Sequence, residues 1–186
     1  MRTNIPWATT EASTDGGFEK LPAGPYVAKI VDMVDNDSKQ YVELVFDIAE
    51  GEHANFYGDK WGKEHPFAHH IFLSYKDTAL GMLKGRLQAI QESNPGFDPF
   101  AAWDAGRLDM FAGRILGINI QEEEYERNDG ETGTRLTVCQ VIPAQDVRDG
   151  KIKTRDLKKL KSDGASTSTT TAAAAVQPYS GPIPFN

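Results

Sequence analysis

The chain has 186 residues, of which 39% are hydrophobic, and a formal net charge of -7. This length predicts one ordinary domain with a single core, and the acidic balance excludes a histone-like polycation that binds nucleic acid through bulk charge. A single cysteine, Cys139, excludes an internal disulfide. We expect a cytoplasmic protein without a membrane segment, because the first residues lack the apolar run of a signal peptide and no stretch reaches roughly 18 apolar residues.

Residues 1–73 are predicted to form a flexible leader and three β-strands. Residues 1–17 show no period of 2 or 3.6, so we expect them to be flexible. β-Rich runs predict strands over 26–34, 41–48 and 67–73. Apolar and polar residues alternate along the second strand, and its predicted core face is Val42, Leu44, Phe46 and Ile48.

An amphipathic helix is predicted after the third strand. Ser74 and Asp77 have the spacing of a capping box, and the pair Asn94-Pro95 is expected to end the helix. The apolar face of this helix is expected to be Leu80, Leu83, Leu87 and Ile90. A short helix is predicted within 97–111, covering one end of the fold.

The last two predicted strands form a hairpin. They cover 115–121 and 134–142, and the turn signal Asn128-Asp129-Gly130 lies between them. Basic residues are then concentrated over 147–163, which we interpret as a basic linker, and a Ser/Thr/Ala-rich disordered tail is predicted over 164–186. This order of elements predicts a mainly β fold, a five-stranded oligonucleotide-binding (OB) barrel over 18–146 with one helix between its third and fourth strands.

A barrel of this class suggests binding of single-stranded nucleic acid on the outer face of its second and third strands. Such binding needs aromatic rings that stack on bases and cations that follow the phosphates. The predicted contacts are Lys39, Tyr41, Phe56, Tyr57, Lys60, Trp61, Lys63, His69, Tyr75, Arg127 and Arg135.

Several of these assignments have structural alternatives. Aromatic residues of the loop after the second strand can instead fold back over the core. Periodicity leaves open whether the outward set of the third strand is His69 and Tyr75, or Phe72 with its neighbours. The arginines near the last hairpin stand beside four glutamates that would repel a nucleic acid strand. The basic segment 147–163 either extends the path of the DNA or solubilises the chain.

Metal and enzyme hypotheses have weaker sequence support. His65, His69 and His70, with the distant His53 and Cys139, match no compact zinc-ligand spacing. No Asp/Glu/His set has a recognisable catalytic spacing, and no phosphate-binding Gly-Lys-Ser loop is found. We therefore expect no enzymatic activity and no cofactor or metal. A metal-dependent nuclease and a protein-interaction OB module without DNA binding remain the alternatives.

Several blocks of residues resemble a family of single-stranded-DNA-binding proteins encoded by bacteriophages and mobile elements. The similarity covers residues 18–160, and the blocks are Phe18–Gly24, Phe46–Gly51, Ser74-Tyr75-Lys76, Glu92–Gly96, and Glu122–Tyr125 followed by Asn128-Asp129-Gly130. The resemblance implies an OB fold and a role in coating and protecting single-stranded DNA during phage replication or recombination. It also implies a location in the cytoplasm of the infected bacterial host.

The end of the chain resembles the apolar tip through which members of this family contact partner proteins. Ile183, Pro184 and Phe185 match that tip, whereas the family's aspartates have no counterpart after Asp163. The resemblance implies that phage or host replication and recombination proteins bind there.

Overall fold

The computed structural model describes residues 21–58 and 68–160. The predicted leader 1–17 and the predicted tail 164–186 lie outside these ranges. The strands are β1 (Gly24–Asn36), β2 (Tyr41–Ile48), β3 (His70–Ser74), β4 (Ile115–Glu126) and β5 (Thr132–Ile142). The α-helices are α1 (Leu80–Ser93), α2 (Pro99–Asp104) and α3 (Ala144–Arg148). Short 3-10 turns cover Asp37–Lys39, Asp77–Ala79 and Leu108–Phe111.

The five strands form one antiparallel sheet in the order β3-β2-β1-β4-β5, and the main helix lies between β3 and β4 as predicted. The boundaries of β2 match the prediction, and β1 is longer than the predicted 26–34. Both strands of the hairpin are also longer, and its turn contains Asn128-Asp129-Gly130. The predicted third strand began at residue 67, but Ala68 and His69 form a turn before β3.

The expected closed barrel is not observed. Within the described ranges, β3 pairs only with β2 and β5 pairs only with β4, so the sheet is open between its two edge strands. A side chain of α1 contacts the free edge of β3. The Arg86 guanidinium donates a hydrogen bond of 2.7 Å from Nη1 to the carbonyl oxygen of Phe72, on the edge of β3 that a closing strand would use.

One core lies between the sheet and α1. The predicted core face of β2 is fully buried, as are Leu83, Leu87 and Ile90 of the helix. Leu80 was predicted to share that face, but it is 47% exposed at the first residue of the helix. Leu116, Ile118 and Ile120 of β4 complete the opposite side of the core.

The predicted capping box does not form. A 3-10 turn precedes α1, and no side chain caps either segment. Ser74 instead accepts a long hydrogen bond of 3.4 Å from the Lys76 amide and donates one to the carbonyl of Gln40. The other end of α1 follows the prediction, since the Asn94 side chain contacts the carbonyls of Ile90 and Ile115 and ties the helix to the start of β4.

The segment after α1 contributes a short helix, as predicted. Asp98 caps α2 by accepting hydrogen bonds from the amides of Phe100 and Ala101. The rings of Phe97 and Phe111 meet edge to face at 5.2 Å, and Phe111 has no exposed surface. This segment packs against β1 and α1.

Residues 151–160, within the predicted basic linker, lie along β4. Pairing between β1 and β4 ends at Ile120, which leaves one edge of β4 available beyond that point. The carbonyl of Lys158 accepts a hydrogen bond from the Glu124 amide, and its amide donates to the carbonyl of Glu122. This part of the chain is therefore attached to the sheet by backbone hydrogen bonds. No helix in the described ranges is long and apolar enough to cross a membrane.

Two glycines provide an opposed pair of stability predictions. A Cβ at Gly117 would lie 2.9 Å from the carbonyl oxygens of Ile142 and Pro143, whereas a Cβ at Gly85, within α1, meets no atom within 4 Å. Gly117→Ala is therefore expected to destabilise the fold by about 1 to 3 kcal/mol through overpacking. Gly85→Ala is expected to stabilise it by about 0.5 to 1 kcal/mol, because glycine costs more backbone entropy in a helix.

Urea unfolding followed by circular dichroism measures both changes. If both variants shifted the urea midpoint in the same direction, the close contacts described around Gly117 would be contradicted.

Candidate nucleic-acid interface

The register between β2 and β3 defines which side chains face outward. Val42 is paired with Leu73 and Leu44 with Ile71, and all four are buried. The alternate residues therefore face away from the core, namely Tyr41, Glu43 and Val45 on β2 and His70, Phe72 and Ser74 on β3. This register settles the parity that periodicity left open.

Tyr41 and Phe72 form an aromatic pair on this outward face. Their ring centroids lie 5.0 Å apart at an interplanar angle of 77°, and Phe72 is 49% exposed. The Asn36 side chain donates a hydrogen bond of 3.3 Å to the Tyr41 hydroxyl. Phe72 was not among the predicted contacts, because periodicity did not show which face of β3 it occupies. Burial of its neighbours Ile71 and Leu73 places Phe72 on the outward face.

The charges around this pair have both signs. Lys39 is exposed in the 3-10 turn that joins β1 to β2, and it precedes Tyr41 by two residues. Arg86 reaches the edge of β3 beside Phe72. Asp32 and Glu43 also occupy the outward face, and Glu43 Oε1 lies 2.5 Å from His70 Nδ1. A polyanion bound here would meet both cations and carboxylates.

Tyr57 and His69 are positioned by the core. Tyr57 is 3% exposed, and its ring stacks on that of His69 at 5.0 Å and meets Phe46 edge to face. Its amide donates to the buried carboxylate of Asp47. Burial raises the pKa of the Tyr57 hydroxyl and lowers the pKa of the His69 imidazole, so both groups remain neutral near pH 7. Tyr57 therefore follows the alternative in which an aromatic residue of the loop folds back over the core. Phe56 is half-buried at the surface of the core.

Tyr75 lies beyond the end of β3 and is held by acids. Its hydroxyl donates to Asp35 and Asp37 at 3.1 and 3.3 Å. Partial burial of the hydroxyl, followed by these carboxylates, raises the pKa of Tyr75 to about 12. The ring contacts Trp103 edge to face. Two carboxylates beside the hydroxyl make this end of the face unfavourable for a phosphate.

The arginines of the last hairpin are paired with glutamates. Arg135 contacts Glu123 at 3.2 Å and lies 5.5 Å from the centre of the Tyr125 ring, and Arg127 lies 3.9 Å from Glu131. The pKa of Glu123 is lowered by hydrogen bonds from Lys158 and then from Arg135. These pairs neutralise most of the positive charge that a nucleic acid would use at the hairpin.

Three of the six cations that the structure describes in the basic segment are paired with carboxylates. Arg148 forms a hydrogen-bonded pair with Glu50, and Lys151 contacts both Asp146 and Asp149. Lys158 lies 2.5 Å from Glu123. These contacts favour a structural role for Arg148, Lys151 and Lys158 over a path for DNA.

A cleft of about 710 Å³ separates the edge strands β3 and β5. Phe72 and Arg86 line one side, and Leu136 and Arg135 line the other. The cleft therefore begins at the edge of the outward face that carries Tyr41 and Phe72.

Other predicted residues lie outside the described ranges, namely Lys60, Trp61 and Lys63 of the loop and Ile183, Pro184 and Phe185 of the tip. His65 of the metal hypothesis lies there too. Among residues 21–58 and 68–160, no three His, Cys, Asp or Glu side chains are grouped so that they could hold a metal ion. Cys139 is half-buried on β5, where burial raises the pKa of its thiol.

Comparisons with known proteins identify no relative, so the function is inferred from the residues described above. No family model and no curated protein matches this chain.

Proposed function

We propose that this protein binds single-stranded DNA on the outward face of β2 and β3, and that the open sheet is an OB fold separated between its third and fifth strands. The strand order and the position of α1 support this proposal, because an OB barrel has the same neighbours apart from the missing pairing of β3 with β5. The bound single-stranded DNA would be protected or presented during phage replication or recombination, in the cytoplasm of the host cell.

The observation that carries the proposal is the exposed aromatic pair of Tyr41 and Phe72. Stacking on an aromatic ring contributes about 1 to 3 kcal/mol per base and is tolerant of sequence. Two rings are therefore sufficient to offset the repulsion from Asp32 and Glu43.

Cations beside the rings supply phosphate contacts in this proposal. Lys39 approaches from the turn before β2, and Arg86 approaches from α1. The two lie at different borders of the face, so a strand that stacks on Tyr41 and Phe72 passes between them. The tip formed by Ile183, Pro184 and Phe185 would recruit replication or recombination proteins without taking part in DNA binding.

Titration of the full chain with fluorescein-labelled poly-dT tests the function. Single-stranded DNA is expected to bind far more tightly than duplex DNA of the same length, with a log-log salt slope of about -0.7 for each phosphate contact. A parallel titration with poly-U RNA measures the preference between DNA and RNA. Equal affinity for duplex, or no binding at low salt, would exclude this function and favour a protein-interaction module.

A further inference from the structure

The cleft between β3 and β5 has the chemistry of a peptide site. Its inner surface is apolar, with the core residues Leu21, Ile71 and Tyr57 on one side and Leu136 on the other. Its volume of about 710 Å³ falls within the range of about 300 to 1,000 Å³ that is common for ligand sites. Polar groups stand at its borders, so an occupant would meet an apolar floor between two strand edges.

The edge of β5 offers backbone hydrogen-bonding groups to this cleft. Glu122 and Glu124 direct their backbone groups to Lys158, on the side of β4 away from β5. Their partners in the antiparallel ladder, Leu136 and Thr134, therefore direct their own N–H and C=O groups away from β4. Within the described part of the chain, no backbone hydrogen bond reaches these groups from another segment. An edge of this kind can accept an added strand.

Arg86 supplies a charge that lacks an acidic partner in the described ranges. It is half-buried in the cleft wall, and its one hydrogen bond there goes to the Phe72 carbonyl. No carboxylate in residues 21–58 or 68–160 lies within ion-pair distance of its guanidinium. Burial lowers the pKa of Arg86, which is the electrostatic cost of a cation held away from water. An acidic side chain on the occupant would offset this cost.

The charge balance favours a peptide over a nucleic acid. Arg135 also lines the cleft, but Glu123 already contacts it, and Glu122 adds a negative charge. One cation without an acidic partner matches one acidic side chain, whereas a nucleic acid would introduce a phosphate with every nucleotide. A sugar-phosphate backbone also lacks the alternating N–H and C=O groups that the β5 edge can pair with.

We propose that the cleft binds an extended peptide segment of a partner protein, which adds as a strand to the edge of β5. About five residues would cover Thr134–Val138, or roughly 17 Å of strand. Alternate apolar side chains of the peptide contact the partly buried Leu136 and Val138, and one Asp or Glu contacts Arg86. This site adjoins the outward face proposed for DNA, because Phe72 and Arg86 border both, but it does not depend on that function.

A random heptapeptide display library, selected against the full chain, tests this proposal. Enriched sequences are expected to alternate apolar residues and to contain an acidic residue at a fixed position. Synthetic fluorescein-labelled copies are then titrated by fluorescence anisotropy against the native chain and four variants. Arg86→Gln and Thr134→Pro are expected to weaken binding at least tenfold, because they remove the cation and one edge N–H.

Two matched substitutions serve as controls. Lys84→Gln removes an exposed cation from the same helix outside the cleft, and Thr132→Pro changes the same edge of β5 before the cleft begins. Both are expected to leave peptide affinity unchanged. Replacing the acidic residue of the peptide by its amide is expected to reproduce the loss seen with Arg86→Gln, and this arm needs no protein variant.

Amide hydrogen exchange at Leu136 distinguishes the occupants. Protection by the selected peptide supports the proposal. Protection by a dT oligonucleotide but not by the peptide would assign the cleft to nucleic acid, and a concentration-dependent dimer abolished by Thr134→Pro would assign it to a second copy of the chain. Either result overturns the proposal, as do a selection without a common pattern and peptides that bind Arg86→Gln as tightly as the native chain.

Discussion

Alanine at Tyr41 or Phe72 is expected to weaken single-stranded DNA binding by about 1 to 3 kcal/mol for each ring. The centroids of the two rings lie 5.0 Å apart on the outward face of β2 and β3, so each ring also orients the other. The double variant is therefore expected to lose more than either single variant, although the two losses need not add. Titration with labelled poly-dT at fixed salt measures all three.

The control for this prediction is a substitution that changes charge without removing a ring. Lys39→Gln is expected to lower the salt dependence of binding while leaving most of the affinity, because a single phosphate contact is lost. Circular dichroism of each variant reports whether the fold is retained. If the Tyr41 and Phe72 variants remain folded and bind poly-dT like the native chain, DNA does not bind on this face.

Local patterns were sufficient to predict much of the sheet. Strict alternation from Tyr41 to Ile48 fixed both the boundaries and the core face of β2, because a strand with one buried face has a period of two. Asn128-Asp129-Gly130 located the last hairpin for a similar local reason, since Gly130 has a φ of 82°. The helix after β3 was also predictable from its apolar repeat.

The open edge of the sheet depends on contacts that no local pattern contains. Arg86 lies outside the predicted apolar face of α1, yet it donates to the Phe72 carbonyl at the β3 edge. This contact joins residues 14 positions apart in the chain. Sequence periodicity describes each element separately and therefore predicted the strand order without predicting the opening.

The candidate site was predicted only in part, for two physical reasons. His69, His70 and Phe72 are all compatible with either face of β3, and only the pairing of Val42 with Leu73 resolves them. The basic residues were evident in the sequence, but their partners were not. Arg148 pairs with the distant Glu50, and Lys158 pairs with Glu123, so part of the concentrated positive charge is neutralised in the fold.

Phe46→Ala is expected to destabilise the protein by about 3 to 5 kcal/mol. Phe46 is fully buried on the core face of β2, and its ring meets Tyr57 edge to face at 5.6 Å. Loss of the ring would leave a cavity beneath the loop that carries Tyr57. Since small domains are typically stable by about 5 to 15 kcal/mol, this loss removes a large part of the total.

Phe72→Ala is the matched control, because it removes the same ring from the neighbouring strand on the opposite face. Phe72 is 49% exposed and packs mainly on Tyr41, so its loss is expected to cost only about 0.5 to 1.5 kcal/mol of stability. The two variants are thus expected to separate fold from function: Phe46→Ala shifts the urea midpoint strongly, whereas Phe72→Ala mainly reduces DNA binding. Equal urea midpoints would contradict the assignment of Phe46 to the core and Phe72 to the outward face, and with it the register on which the proposed DNA site depends.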